Sequence, residues 1–157
     1  MLTTLRKQPG GGKFHNPSEL PDKDLGMARV LLVDDDLTSR LTLKAVLEAG
    51  GYCVDSAASA AEAVGKLDDR QYELVLSDLH MESPEAGLKV LAHARLMRYK
   101  PATAILTTYQ NRQPETGRAV LIKPEDLPEL LSKVADLISH RAARLVARQL
   151  RGTHAGD

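Results

Sequence analysis

The stretch VLLVDDDLTSR, Val30 to Arg40, sets three carboxylates directly behind four apolar residues. The aliphatic, partly β-branched run Val30–Val33 reads as a strand buried on both faces. A turn needs one aspartate, and a helix cap needs one. Asp34, Asp35 and Asp36 stand side by side, and each raises the cost of ionising the others. A cluster of this kind at the end of a buried run implies that a cation belongs there.

Outward from this point the chain alternates. LTSRLTLKAVLEAG has helical spacing, with Leu37, Leu41, Ala45 and Val46 on the expected core side and Gly50-Gly51 as the stop. Residues 52–57 read as a second strand. Residues 59–67 read as a helix with Ser59 as N-cap and Glu62 completing a capping box. Residues 72–78 form a third apolar run, again ending in an acid. A helix over 87–98, strands over 103–108 and 118–123, and a helix from about Leu127 follow. Strand alternating with helix predicts an α/β fold, a doubly wound parallel sheet with helices on both faces. Ligands in such sheets bind at the carboxyl ends of the strands, where strand order switches.

Residues 1–28 contain glycine and proline but no periodic apolar pattern, so they read as a disordered N-terminal tail. Met27 stands just before the first strand, and translation could start there. The 157 residues fit one domain of ordinary size plus tails. Lys plus Arg is 21 and Asp plus Glu is 21, a balance that points to neither nucleic acid nor a membrane surface as main partner. No apolar run approaches the ~20 residues of a membrane span, and the N-terminus lacks the apolar segment of a signal peptide. Cys53 is the only cysteine, which excludes an intrachain disulfide and an all-cysteine zinc site and suits a cytoplasmic location. With no Trp and one Phe, the core must be aliphatic.

Four strand ends carry polar residues: Asp34/Asp35, Asp78, Thr107 and Lys123. Taken as one site, the carboxylates make a hard oxygen cradle suited to Mg²⁺. Asp78 could attack phosphorus as a nucleophile. The Thr107 hydroxyl and the Lys123 ammonium could meet the equatorial oxygens of a transferring phosphoryl group. These are the parts needed for reversible aspartyl phosphorylation.

At VLLVDDD, LVLSDLHM, ILTTY and LIKP the sequence resembles the receiver domains of bacterial two-component response regulators, the CheY-like family. The resemblance spans residues 29–140. It implies a flavodoxin-like five-stranded sheet in the order 2-1-3-4-5, with Asp78 as phosphoacceptor and Mg²⁺ held by Asp34, Asp35, Asp78 and the backbone carbonyl of His80. It further implies that Thr107 follows the phosphoryl group on activation and that Lys123 pairs with it. The Lys123-Pro124 bond resembles one that is cis in the family. The implied donor is a histidine kinase or phosphotransfer protein, and the implied output is contact with a downstream protein. Such a chain is a phosphoacceptor that assists its own phosphotransfer and autodephosphorylation, not a turnover enzyme.

Two other readings stand beside it. Asp34-x-Asp36-x-Thr38 also fits the opening motif of haloacid-dehalogenase-type phosphatases, although Glu125-Asp126 is the only late acidic pair. The chain could also be an interaction module that keeps the acidic pocket without coupling phosphorylation to shape. Three departures limit what carries over from the family, and the first two favour that version. Thr107 to Lys123 is 123 − 107 = 16 steps, shorter than in most receivers, so the fourth helix is expected to be missing or shortened. Val120 stands where receivers carry a switching aromatic ring. The loop after Asp78, LHMESPEAG, is one residue longer than usual. His80 and Tyr109 occupy the positions thought to gate water, which predicts slow autodephosphorylation.

Residues 141–157 read as a basic helical extension and tail. Over 140–157, Arg141, Arg144, Arg148 and Arg151 stand against Asp157, a net +3. Leu131, Val134, Ile138, Ala142 and Leu145 continue one stripe, so the last helix is expected to run to about Leu150. It could dock a partner or a second copy, whereas one basic helix is too little for DNA. The chain has no room for an output domain, so it reads as a stand-alone receiver or one cut from a longer protein.

Overall fold

The structure, a computed structural model, describes residues 27–79, 81–107, 119–122 and 127–155. In chain order the elements are β1 (Arg29–Val33), α1 (Leu37–Ala49), β2 (Cys53–Ala57), α2 (Ala60–Asp69), β3 (Leu74–Asp78), α3 (Ala86–Leu96), β4 (Ala102–Thr107), β5 (Ala119–Ile122) and α4 (Leu127–Ala155). All strand pairs are parallel. β1 lies between β2 and β3, β4 pairs with β3, and β5 adds at the edge beyond β4.

Successive strand side chains point to opposite faces, and β1 shows what this does. Val30 and Leu32 join Leu43, Leu47, Leu130 and Val134 in a core under α1 and α4. Leu31 and Val33 join Ala63, Leu67, Val90 and Leu91 in a second core under α2 and α3. Both cores are almost wholly aliphatic. Among the described residues the largest fully buried side chain is Tyr72, whose hydroxyl donates to Asp55 Oδ2 at 2.8 Å. Burial, and then that bond, push the Tyr72 phenol well above its usual range.

The expected core face of α1 is corrected. Leu37 and Leu41 are 59% and 56% exposed, and Ala45 is exposed too, whereas Leu43 and Leu47 are buried. Both leucine pairs have i, i+4 spacing, so periodicity alone does not choose between them. The rows lie about 120° apart at 100° per residue, and the way the helix leaves β1 turns the second one inward. Gly51, at φ 100, takes the left-handed conformation that ends α1. Gly50 sits against Leu131 of α4.

Ser39 N–H donates to Asp36 Oδ2 at 2.7 Å, which makes Asp36 the N-cap of α1. Ser59 caps α2 through Glu62 N–H at 3.1 Å. The Glu62 carboxylate reaches back to Ala58 N–H rather than to Ser59, so the reciprocal arm of the box falls one residue early.

Helix α4 is one continuous helix from Leu127 to Ala155. Its stripe differs from the expected one. Leu130 and Val134 are buried, Leu131, Leu137 and Ile138 pack partly, and Ala142 is exposed. Beyond the sheet, Arg141 ties α4 to the turn before β4, donating from Nη2 to Tyr99 O at 2.6 Å and from Nε to Lys100 O at 2.9 Å. The expected loss of the fourth helix concerns residues 108–118, which lie outside the described residues, as does the Lys123-Pro124 bond. No described helix is long and apolar enough to cross a membrane.

Candidate functional site

The carboxyl ends of β1, β3 and β4 open on one crevice, because the strands are parallel and in register. Val33 pairs with Ser77, and Asp78 pairs with Leu106. The next residue out on each strand is therefore a site residue. Asp34 follows β1 and is 0% exposed; Asp78 ends β3 at 7%; Thr107 ends β4 at 2%. Burying three polar side chains among aliphatic neighbours is costly unless they are bonded or bind something.

Asp34 is fixed on several sides. Its N–H donates to Ala57 O at 3.0 Å, its carbonyl accepts from Arg40 Nη1 at 2.8 Å, and its Oδ1 accepts from Asp36 N–H at 3.0 Å. The three aspartates thus take different roles. Asp34 points into the crevice, Asp36 caps α1, and Asp35 stays exposed at the rim. One carboxylate oxygen from each of Asp34, Asp35 and Asp78 lies within 4.8 Å of the others.

This donor set fits Mg²⁺. The oxygens are hard, as that ion requires, and the exposed Asp35 leaves the site an open side for the waters the ion keeps. Asp34 and Asp78 would form the buried wall of such a site and Asp35 its open edge. His80 and Lys123, the other expected members, lie outside the described residues, as does Tyr109. β5 runs beside β4 with Ile122 opposite Thr107. The Asp36 carboxylate is engaged by the helix cap, which removes the second acid from the phosphatase reading.

Three supporting residues escaped the sequence reading. Gly87, in the first turn of α3, faces Asp78, and a Cβ there would collide with the Asp78 carbonyl oxygen. Ser77 is fully buried, and its hydroxyl donates to the same carbonyl at 3.3 Å. Glu82, in the loop after Asp78, accepts from Ala60 N–H at the start of α2 at 3.0 Å. The one readable signal was a glycine inside a helical pattern close to a functional aspartate.

Comparison with known proteins agrees with this geometry. The family described as the response regulator receiver domain matches residues 30–135. The sensory/regulatory protein RpfC of Xanthomonas campestris is 31% identical over 79% of this chain and 18% of its own length. The transcriptional regulatory protein ZraR of Escherichia coli O157:H7 is 29% identical over 71% of this chain and 26% of its own. The chain thus spans about a quarter or less of these curated relatives. Among solved structures, response regulator TrrA of Thermotoga maritima, in complex with Mg(2+)-BeF, is 30% identical with a TM-score of 0.63, covering 71% of this chain and 99% of that one. Chemotaxis protein CheY4 of Vibrio cholerae is 28% identical with a TM-score of 0.63, over 71% and 98%. Receiver domains are signalling modules rather than classical enzymes; they bind Mg²⁺ in an acidic pocket and interact with histidine kinases or phosphotransfer proteins. With the family match covering most of the described residues, and the acidic triad at the strand ends, this chain belongs to the response regulator receiver domain family.

Proposed function

We propose that the chain accepts a phosphoryl group on Asp78 from a histidine kinase or phosphotransfer protein, in a Mg²⁺-dependent reaction in the cytoplasm, and signals by protein contact. One observation carries this reading: Asp34, Asp35 and Asp78 converge within 4.8 Å at the strand ends, where order switches between β1 and β3. In that reading the doubly wound sheet, order 2-1-3-4-5, is the flavodoxin-like scaffold of the site.

An Asp78 carboxylate oxygen attacks phosphorus, a P–O bond forms, and the bond from phosphorus to the donor's imidazole nitrogen breaks. Its electron pair stays on the imidazole. Mg²⁺, when bound, offsets the negative charge gathered by the phosphoryl oxygens and the carboxylates. Asp34 and Asp35 hold that charge in place. Thr107 donates its hydroxyl to a phosphoryl oxygen, and the Lys123 ammonium pairs with another. The exposed Leu37 and Leu41 flank the crevice beside Asp35, an apolar ledge on which a phosphodonor protein can rest. Val120 favours a second reading, in which phosphorylation is retained but no ring moves in response.

Acetyl phosphate with Mg²⁺ tests both. Intact-mass spectrometry should show gain of one phosphoryl group, abolished in Asp78→Asn and without Mg²⁺. Gain that persists in Asp78→Asn would sink the assignment. Gain without shifts in the amide NMR spectrum outside the crevice would favour the uncoupled module.

A further inference from the structure

We propose that Arg40, in the first turns of α1, is a positioning residue for the cation site, and that it aims the Asp35 carboxylate through the backbone of Asp34. The proposal rests on the reading of Asp34, Asp35 and Asp78 as a Mg²⁺ site.

Asp35 depends on its neighbours for its aim. It is exposed and stands between β1 and α1, and among the described residues no hydrogen bond reaches its side chain or its amide. An acid that is loose before it binds an ion gives up that freedom on binding, which weakens the affinity. The direction of its Cα–Cβ bond is set by the two peptide planes on either side. The plane after Asp35 carries Asp36 N–H, which donates to Asp34 Oδ1 at 3.0 Å. The plane before it carries the Asp34 carbonyl, which accepts from Arg40 Nη1 at 2.8 Å. One plane further back, Asp34 N–H donates to Ala57 O at 3.0 Å. Three successive planes are thus held, and Arg40 holds the middle one.

Arg40 can act as an anchor because it belongs to the helix. Its own N–H donates to Asp36 O at 2.9 Å, and the buried Leu43 and Leu47 seat α1 on the sheet. Its side chain is half-buried. Asp34, Asp35 and Asp36 precede it in the same chain segment, yet the guanidinium bonds a neutral carbonyl. Among the described residues it forms no ion pair. That choice suits a cation site. A guanidinium bonded to the triad's carboxylates would take the place of the metal, whereas one bonded to the backbone does not compete with it.

The charge of Arg40 and its bond act on Mg²⁺ in opposite directions. The positive charge repels the ion. If charge alone mattered, removing the side chain would tighten binding. Removing the bond releases the plane between Asp34 and Asp35, and binding weakens. Groups that orient metal ligands typically carry roughly 10–100-fold in affinity. Arg40 governs one exposed ligand of three, which places it at the lower end.

The test uses the full chain and Mg²⁺ alone. Amide NMR shifts are followed through Mg²⁺ titrations of wild type and variants, with circular dichroism as the check of the fold. Arg40→Met keeps most of the stem without a donor and should weaken Mg²⁺ binding by about tenfold. Arg40→Lys keeps a cationic donor and should recover part of that loss. Arg40→Gln is too short to span the same gap. It should show the same loss as Arg40→Met, and it decides the matter if the methionine variant loses helical signal. Labelling by acetyl phosphate should need correspondingly more Mg²⁺ to reach half of each protein's own maximal rate. Unchanged or tighter Mg²⁺ binding in the donorless variants overturns the proposal and leaves the Mg²⁺ reading standing. So does a loss in Arg40→Lys as large as theirs. A wild type whose crevice amides do not respond to Mg²⁺ removes the Mg²⁺ reading, and the proposal with it.

Discussion

Replacing Asp35 with asparagine should stabilise the metal-free protein and blunt its response to Mg²⁺. One oxygen of Asp35 lies within 4.8 Å of oxygens of Asp34 and Asp78. At that distance two unit charges repel by about 0.9 kcal/mol in bulk water and by about 3.5 kcal/mol at an effective dielectric of ~20. Asp35 is exposed, so the lower figure applies to each of its two pairs. Asparagine keeps the shape and removes both terms, a gain of about 1–2 kcal/mol. With a slope of about 1.5 kcal/mol/M, the urea midpoint should rise by about 1 M. The chain has no tryptophan, so far-ultraviolet circular dichroism is the suitable signal. Addition of Mg²⁺ to about ten times its dissociation constant should stabilise wild type by about 1.4 kcal/mol. Asp35→Asn should gain less, and the gap between the proteins should narrow. A variant less stable than wild type without Mg²⁺, or one that gains as much from Mg²⁺, would refute the repulsive-triad argument.

Three further outcomes follow from the packing. Leu47→Ala should cost about 2–5 kcal/mol in chemical denaturation. Leu41→Ala, on the exposed row of the same helix, should change stability by less than about 0.5 kcal/mol; equal costs would contradict the burial of α1. Gly87→Ala forces a methyl into the Asp78 carbonyl and should cost about 1–3 kcal/mol. It should also slow acetyl phosphate labelling of Asp78, measured as the initial rate of mass gain. Tyr72 is held protonated by burial and by its bond to Asp55, and burial pushes Tyr99 up to about 12. Both phenols ionise later in the folded than in the unfolded chain, so their contribution is intact below pH ~10 and is lost as pH rises above it. Tyr72→Phe should flatten that alkaline loss of stability, followed by urea midpoints from pH 8 upward.

The strand pattern was legible because parallel strands buried on both faces write themselves as short aliphatic runs, and VLLV and LVLSD are such runs. The acidic triad was legible for a related reason. Charge directly behind a buried run is costly, so three aspartates there had to serve something other than solubility. Helix faces were harder. Leu37/Leu41 and Leu43/Leu47 have the same spacing, and only the direction in which α1 crosses the sheet separates them. The end of the core-packed part of α4 was hidden for a similar reason, because its apolar stripe continues past the sheet with nothing in the local sequence to mark the edge. Ser77 supports Asp78 through its backbone carbonyl, and a contact to a carbonyl leaves no side-chain signature to read; Gly87 crowds the same carbonyl and is marked only as a glycine within a helical pattern.

The two bonds from Arg141 have a mechanical meaning. They grip the turn at the near end of β4, and Thr107 sits at the far end of the same strand. Beyond that grip α4 runs on to Ala155, roughly 20 Å at 1.5 Å per residue. Arg141 thus acts as a fulcrum with a long arm beyond it. A tilt of about 10° there sweeps the tip of the helix by roughly 3–4 Å, about the diameter of a methyl group. A displacement too small to disturb the packed sheet becomes, at the end of that arm, large enough to make or break a side-chain contact.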